Sequence, residues 1–430
     1  MKKLFYIAFA LGLASCSTAD HDELVSSPKS APETYSSHRI TQDEAVSLAT
    51  SFRNNSQTLS RSGDTDESDV ENVVVVRWED LYPGVPNPII GNEDPTSRSG
   101  DIFPQVKPTK VDTLFYVVNN KNNAGYTVVA ADDRTEPIYI VTDHGNYHAG
   151  DWNSTKLGNG CVQIVDRAVE TIIQDMGLRL VEYREELIDD SNLPIVLPML
   201  KTTWGSYSST GLNSNEYLPD SIRYKVTERS TLAVATAQIL SYRFIIPKNY
   251  PWELDWNLIL SEYDYNNILG LPTSDKTKRQ VADLINYLET SLNNENWVSP
   301  LSESDNMEAM EWFKDKNLLA DGFLYCDMHK VIESINKGNL VCASVSTQLG
   351  RRYLVMDGYY TKYYYYYSYP TEKRKISYMP HCNWGLNGNF NGYFLARLFD
   401  PSYFDKTENQ DELPYSFGFD KCKYTVINCK

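Results

Sequence analysis

An α+β fold is predicted by three features of the sequence. Apolar residues recur at helical spacing in Val162, Val165, Ala168, Val169, Ile172, Ile173 and Met176. "STLAVATAQILSY" (230–242) carries small or apolar residues on nearly every face, the mark of a helix buried all round. From Leu340 onward the pattern is almost all strand, in "LVCASVS", "RYLVMDGYY", "RKISYMPHCNW", "GYFLARL" and "KYTVINC". Helices followed by a run of antiparallel strands indicate α+β.

The elements follow in order. "ITQDEAVSLATSFRN" opens on a capping box, Thr41 with Glu44 three residues on, and Ala45, Leu48, Ala49 and Phe52 form its apolar stripe. From about Asn54 to Asp101 the chain is rich in Ser, Asp, Asn and Pro, and only "VENVVVVRWEDLY" reads as a strand. "TLFYVVNNKNNAGYTVVAADD" holds two alternating runs around an Asn/Gly turn, which predicts a hairpin. "EPIYIVTDHGNY" adds a strand before the long helix at Val162. Asp189 to Pro198, acidic and with two prolines, marks a domain boundary. Beyond it, Val281, Leu284, Ile285 and Leu288 predict a helix, and another near Met328 to Lys337 stops at Gly338. Tyr363 to Tyr367 is placed at a hairpin tip or a sheet edge.

A chain of 430 residues fills more than one core, with two or three domains expected. A net charge of −17 leaves no phosphate-neutralising surface, which excludes nucleic acid as a partner. No apolar run is long enough to span a bilayer. "MKKLFYIAFALGLASC" has two lysines and a short apolar segment, as a signal peptide does, and its Leu13-Ala14-Ser15-Cys16 end resembles a bacterial lipobox. That resemblance implies acylation of Cys16 and an exported body held to the outer membrane, or to the cell surface, by its lipid anchor alone. A plain secretory signal is the alternative. Residues 17–37 then read as a flexible tether. The other six cysteines show no CxxC pair and no zinc-like spacing, and neither a metal nor a cofactor is expected. Cys422 and Cys429 lie in one alternating run, too far apart to bond.

The sharpest motif is "HCNWGLNGNFNGYF" (381–394), where glycines and asparagines crowd a Trp before an aromatic strand resumes. It resembles the "NWGWGG…GYF" segment of the streptopain family of papain-like cysteine proteases. "RRYLVMDGYY" resembles that family's "GGHAxVxDGY" strand, and "STLAVATAQILSY" its nucleophile helix, "GCVATAxAQIMxY". "YPWELDW" and "LPMLKTTWG" also have counterparts. Upstream, "ITQDEAVSLATSF" and "GYTVVAADDRTEPIYIVTD" resemble the family's inhibitory prodomain. After the signal peptide and lipobox read over 1–16 and the tether over 17–37, the family resemblance covers 38–430 and implies a small α+β Spi-like prodomain with a low-complexity insertion over 38–190 and a streptopain-like, papain-fold domain over 191–430.

In that family a Cys thiolate at a helix N-terminus attacks a peptide carbonyl while a His shuttles the proton. The carry-over places the nucleophile position at Thr231 and the base position at Arg352. Asn383 and Trp384 keep their types, Ser206 stands where an oxyanion-holding Gln is expected, and Leu386 replaces a second Trp. A guanidinium stays protonated, and a Thr without an imidazole has no route to activation. Thr231 is expected instead to cap its helix. The chain therefore reads as a pseudoprotease that binds an extended peptide or a protein, with Arg352 favouring an acidic group. Two alternatives stay open. One is an inhibitor or partner of active related proteases. The other is a genuine cysteine-type peptidase using Cys161 of "GCVQIV" or His381, although core packing for Cys161 and a structural role for His381 are the plainer readings. His144 and His148 read as solvated loop residues.

Overall fold

The computed structural model describes residues 39–57, 69–85, 87, 112–153, 159–178, 182–184, 194–205, 228–269, 273–293, 319–325, 327–347, 350–368, 371–399 and 423–428. The predicted Cys16, the tether and Ser206 lie outside these residues, as do Cys422 and Cys429. The described residues belong to one unit, His38–Lys430.

The fold is α+β, with mixed helices on an antiparallel sheet. In its first half, α1 (Gln42–Gln57) precedes β1 (Val70–Arg77), the short α2 (Trp78–Leu81), β2 (Thr113–Asn120), β3 (Tyr126–Ala130) and β4 (Ile138–Thr142). The long α3 (Asn159–Leu178) and a short β5 (Glu182–Arg184) follow. The second half has α4 (Glu228–Arg243), α5 (Trp256–Leu269), α6 (Asp275–Asn293), β6 (Leu319–Tyr325) and α7 (Met328–Asn336). It closes with β7 (Leu340–Thr347), β8 (Gly350–Ser368), β9 (Thr371–Asn383), β10 (Gly392–Phe394) and β11 (Lys423–Asn428). The capping box at α1 forms as expected: the Thr41 N–H donates to Glu44 Oε2 at 2.7 Å, and the Glu44 N–H donates to Thr41 Oγ1 at 3.3 Å.

Among the described residues the strands form one sheet in the order β1-β2-β3-β4-β10-β9-β8-β7-β11-β6, with β5 on the far end of β8. The pattern of buried residues explains why both faces are covered. In β7, Val341, Ala343 and Val345 face one core while Leu340 and Cys342 face another. In β8, Leu354 and Met356 divide from Tyr353 and Val355 in the same way. This is the period-2 alternation of a strand with apolar residues on both sides. α3 and α7 fill the first face, α4 to α6 the second, and α1 packs on β2 and β3 through Ala45 and Ala49. The small residues of α4 are buried from Thr231 to Ser241, because the helix is pressed between β8 and α6.

The halves meet along β4 and β10, whose partners are Gly392 with Thr142, Tyr393 with Val141, and Phe394 with Ile140. Gly392 is required there. Its φ is +154°, and a Cβ would lie 2.1 Å from the Val141 carbonyl oxygen. Gly392→Ala is expected to lower stability by about 1–3 kcal/mol, the usual cost of local strain, read from the urea midpoint. An unchanged midpoint would contradict this packing.

The tyrosine run from Tyr363 to Tyr367 lies near the end of the β8–β9 hairpin, as one of the two expectations has it, and is paired on both sides, with β9 and, at Tyr365 to Tyr367, with β5. "WEDL" is not strand but the single helical turn α2.

Candidate functional site

The first turns of α4, the start of β8 and the end of β9 bring Thr231, Arg352, Asn383 and Trp384 to one junction. Thr231 is not a helix cap. α4 begins three residues earlier, at Glu228, so Thr231 is inside the helix. Its Oγ1 instead accepts the backbone N–H of Tyr353 at 3.1 Å, which ties the helix to β8. On the preceding residue, Arg352 Nη2 donates to the Trp384 carbonyl at 3.2 Å. Thr231 and Arg352 are 3 % and 4 % exposed, so neither presents a reactive group to solvent.

Asn383 is engaged at both ends of its amide. Nδ2 donates to the Thr202 carbonyl at 2.7 Å, and Oδ1 accepts Gln238 Nε2 at 3.1 Å and the Gly385 N–H at 3.2 Å. Gln238, from the middle of α4, also reaches the Thr202 carbonyl at 3.2 Å. Next to it, the Trp384 N–H is held by Asn391 Oδ1 at 2.9 Å, and its ring packs on Phe390 and Phe394. Gly385, Asn387, Gly388 and Phe390 all take positive φ, so this glycine- and asparagine-rich loop is a series of tight turns folded onto α4. Leu386 is buried in the core of the α3 face.

The chemistry available at this junction is limited. A threonine hydroxyl attacks a carbonyl only when a base removes its proton. Arg352, the residue before Tyr353 in β8, carries a guanidinium, which accepts no proton. His381 has a different task. Its Nδ1 lies 2.6 Å from Asp357 Oδ1 and its Nε2 lies 2.8 Å from Asp143 Oδ2, with the ring against Tyr393. Burial alone would push the imidazole down, but the charges of Asp357 and Asp143 outweigh it and hold the pKa up at about 10. Burial likewise works against the Asp143 carboxylate, and His381, with smaller help from His144 and Arg53, draws it below the usual range. An imidazolium with both nitrogens on carboxylates is a poor general base at neutral pH.

This charged centre was not recognised from sequence as a unit. Asp143 follows the strand in "IVTDHG" and Asp357 interrupts "YLVMDGYY", each an acidic residue at the edge of an apolar run, and that was the available signal. Asp357 also accepts the Leu200 N–H through Oδ2 at 2.9 Å, and its carbonyl accepts the Met199 N–H at 3.0 Å. The segment entering the second half is thereby fixed on β8. Arg53, from α1, donates to the carbonyls of Thr142 and Ala124 at 2.8 and 2.9 Å beside this centre. A second buried charge cluster joins α3, the turn between β3 and β4, and the turn after β10. Arg397 makes a two-pronged contact with Asp175 at 2.8 and 2.9 Å and approaches Glu136 at 3.6 Å, while Ser377 donates to Glu136 at 3.0 Å.

The remaining candidates lie elsewhere. Cys161 falls in the first turn of α3, a helix whose buried stripe faces the opposite side of the sheet from α4. His144 is exposed, and His148, with its side chain 79 % exposed, pairs with Asp151 at 3.4 Å. Among the described residues no three His, Cys, Asp or Glu side chains gather as metal ligands; Cys342 and Cys382 are both buried, and the Cys382 thiol donates to the Pro380 carbonyl at 3.7 Å.

No family model matches the chain. No curated protein matches it. Among solved structures, the chain is similar to a fragment of prointerpain A from Prevotella intermedia, at 18 % identity, over 73 % of this chain and 94 % of that one, with a TM-score of 0.41.

Proposed function

We propose that this chain is an exported lipoprotein on a streptopain-like, papain-fold scaffold that has lost its peptidase chemistry and acts by binding a peptide or protein. The observation that carries the reading is the junction of Thr231 with the β8 backbone. The position read as nucleophile is buried, its hydroxyl accepts a backbone N–H, and the neighbouring position read as base is Arg352. The packing of a nucleophile helix is kept and the proton acceptor is gone. His381 does not replace it, since both its nitrogens face carboxylates.

The alternative of a separately acting inhibitory N-terminal half gains no support from the interface. Residues 136, 143 and 175 put their carboxylates into charge clusters completed by residues 357, 381 and 397.

The test is restoration. The unaltered chain is expected to leave peptide substrates intact and to resist thiol-directed peptidase probes. Thr231→Cys combined with Arg352→His is expected to stay unlabelled at position 231 in the folded chain, because burial closes the site as well as the loss of the proton acceptor. Peptide cleavage by the unaltered chain that disappears with Cys161→Ser would overturn the reading, and so would cleavage abolished by Thr231→Val.

A further inference from the structure

Five large apolar side chains stand markedly exposed among the described residues, and three of them belong to one nine-residue loop. Phe244 is 54 %, Ile246 53 % and Trp252 48 % exposed, in the "FIIPKNYPW" connection between α4 and α5. The loop is not a slack one. The Ile245 N–H donates to the Leu240 carbonyl at 3.0 Å, the Tyr250 N–H to Pro247 at 3.0 Å, and Trp256 Nε1 to the Ile245 carbonyl at 3.0 Å. The Tyr287 hydroxyl holds the Lys248 carbonyl at 3.3 Å. Trp252 rests edge-on against Tyr250, with ring centres 5.5 Å apart, and against Tyr287 at 6.3 Å. Phe244 has a φ of +56°, a conformation that a bulky residue rarely adopts. The fold therefore fixes apolar side chains in water at some conformational cost.

We propose that this loop seats in the headgroup layer of a lipid bilayer, as a second contact beyond the acyl anchor. The proposal rests on the reading of Cys16 as acylated. Trp, Tyr and Lys beside apolar tips are the residues that settle at a membrane–water boundary. The local charge suits an uncharged lipid surface even though the whole chain is acidic. Lys248 is exposed within the loop, and Glu253 just after it is paired with Lys276 at 3.2 Å. The length of chain before the body allows the contact. Arg39 lies 23 residues beyond Cys16 and pairs through its backbone with Asp132, two residues after β3. α4 lies on β8, four strands further along the sheet, and the loop follows the C-terminal end of that helix. A chain of 23 residues reaches at most about 80 Å, so its length does not forbid the contact.

The experiment uses the full chain reconstituted with phosphatidylcholine vesicles whose acyl chains carry bromine, a contact quencher of tryptophan. Fluorescence is expected to be quenched, and Trp252→Tyr is expected to remove most of that quenching. Phe244→Asn with Ile246→Ser, which keeps Trp252 and places an αL-tolerant residue at 244, is expected to cut it at least about threefold, in a chain with an unchanged melting temperature. Absence of quenching, or quenching indifferent to the paired substitution, would overturn the proposal. So would a concentration-dependent dimer abolished by that substitution, which would mean that a second copy covers the loop. The mass of the N-terminal peptide reports acylation of Cys16 independently. An acylated chain with an unquenched loop defeats this inference alone, whereas an unacylated chain with a quenched loop defeats only the anchor.

Discussion

Replacing His381 with alanine is expected to destabilise the fold by about 3–5 kcal/mol, the range for breaking a buried charge pair from one side. The change leaves the Asp357 carboxylate, 1 % exposed, without its cation, and removes the partner of Asp143 in the other half of the chain. Urea denaturation measures the loss. A cost under about 1 kcal/mol would mean that the two carboxylates are not charged as described. The same centre sets a pH dependence. His381 is raised from 6.5 to about 10 in the folded chain. Its contribution is complete below pH 6.5 and is lost as the pH rises towards 10. Asp143 is lowered in the folded chain, so its contribution is present above the ordinary carboxylate pKa and is lost as the pH falls through the folded value. Unfolding midpoints measured from pH 6 to 10 should decline, and His381→Gln should flatten that decline.

Arg397→Met is expected to cost a similar amount, about 3–5 kcal/mol, for a related reason. Arg397 sits between two buried carboxylates, with side chains of Asp175 and Glu136 at 5 % and 0 % exposure. Methionine keeps much of the volume and none of the charge, which leaves both carboxylates uncompensated. Arg397→Lys should not rescue fully, because the contact with Asp175 is two-pronged and an ammonium is a point charge. Adding Asp175→Asn to Arg397→Met should recover part of the loss, since one of the stranded charges is then removed. If the double variant is no more stable than the single one, Asp175 is not the partner that matters. Both measurements need only purified chain and a circular-dichroism signal.

Much of the architecture was readable because it is local. The Thr41–Glu44 box, the β2–β3 hairpin and the helix ending before Gly338 depend on neighbours three to ten residues apart. The buried stripe of α3 follows from spacing alone. The α4 helix was legible as one buried on all sides, because Ala233, Ala235 and Ala237 leave no polar face. Its start was not. Glu228 to Ser230 continue the helix upstream, and Thr231 is satisfied by a strand backbone more than a hundred residues away. The charge clusters were illegible for the same reason. Period and propensity say which way a residue faces, not which partner it meets. His381 was expected to be structural, but nothing in sequence joins it to Asp143, 238 residues earlier. Nor does pattern show that β4 pairs with β10, since a three-residue strand carries almost no periodicity.

That short junction has a consequence for how the molecule could be cut. Neither half ends in a finished border. Drawing them apart would bare the hydrogen-bonding rims of β4 and β10 together, and unpaired rims of this kind recruit other chains. It would also strand opposite charges on the two torn surfaces. A protease that severed the backbone between the halves is therefore expected to leave a two-chain molecule, its pieces travelling together until denatured, rather than to liberate a mature form.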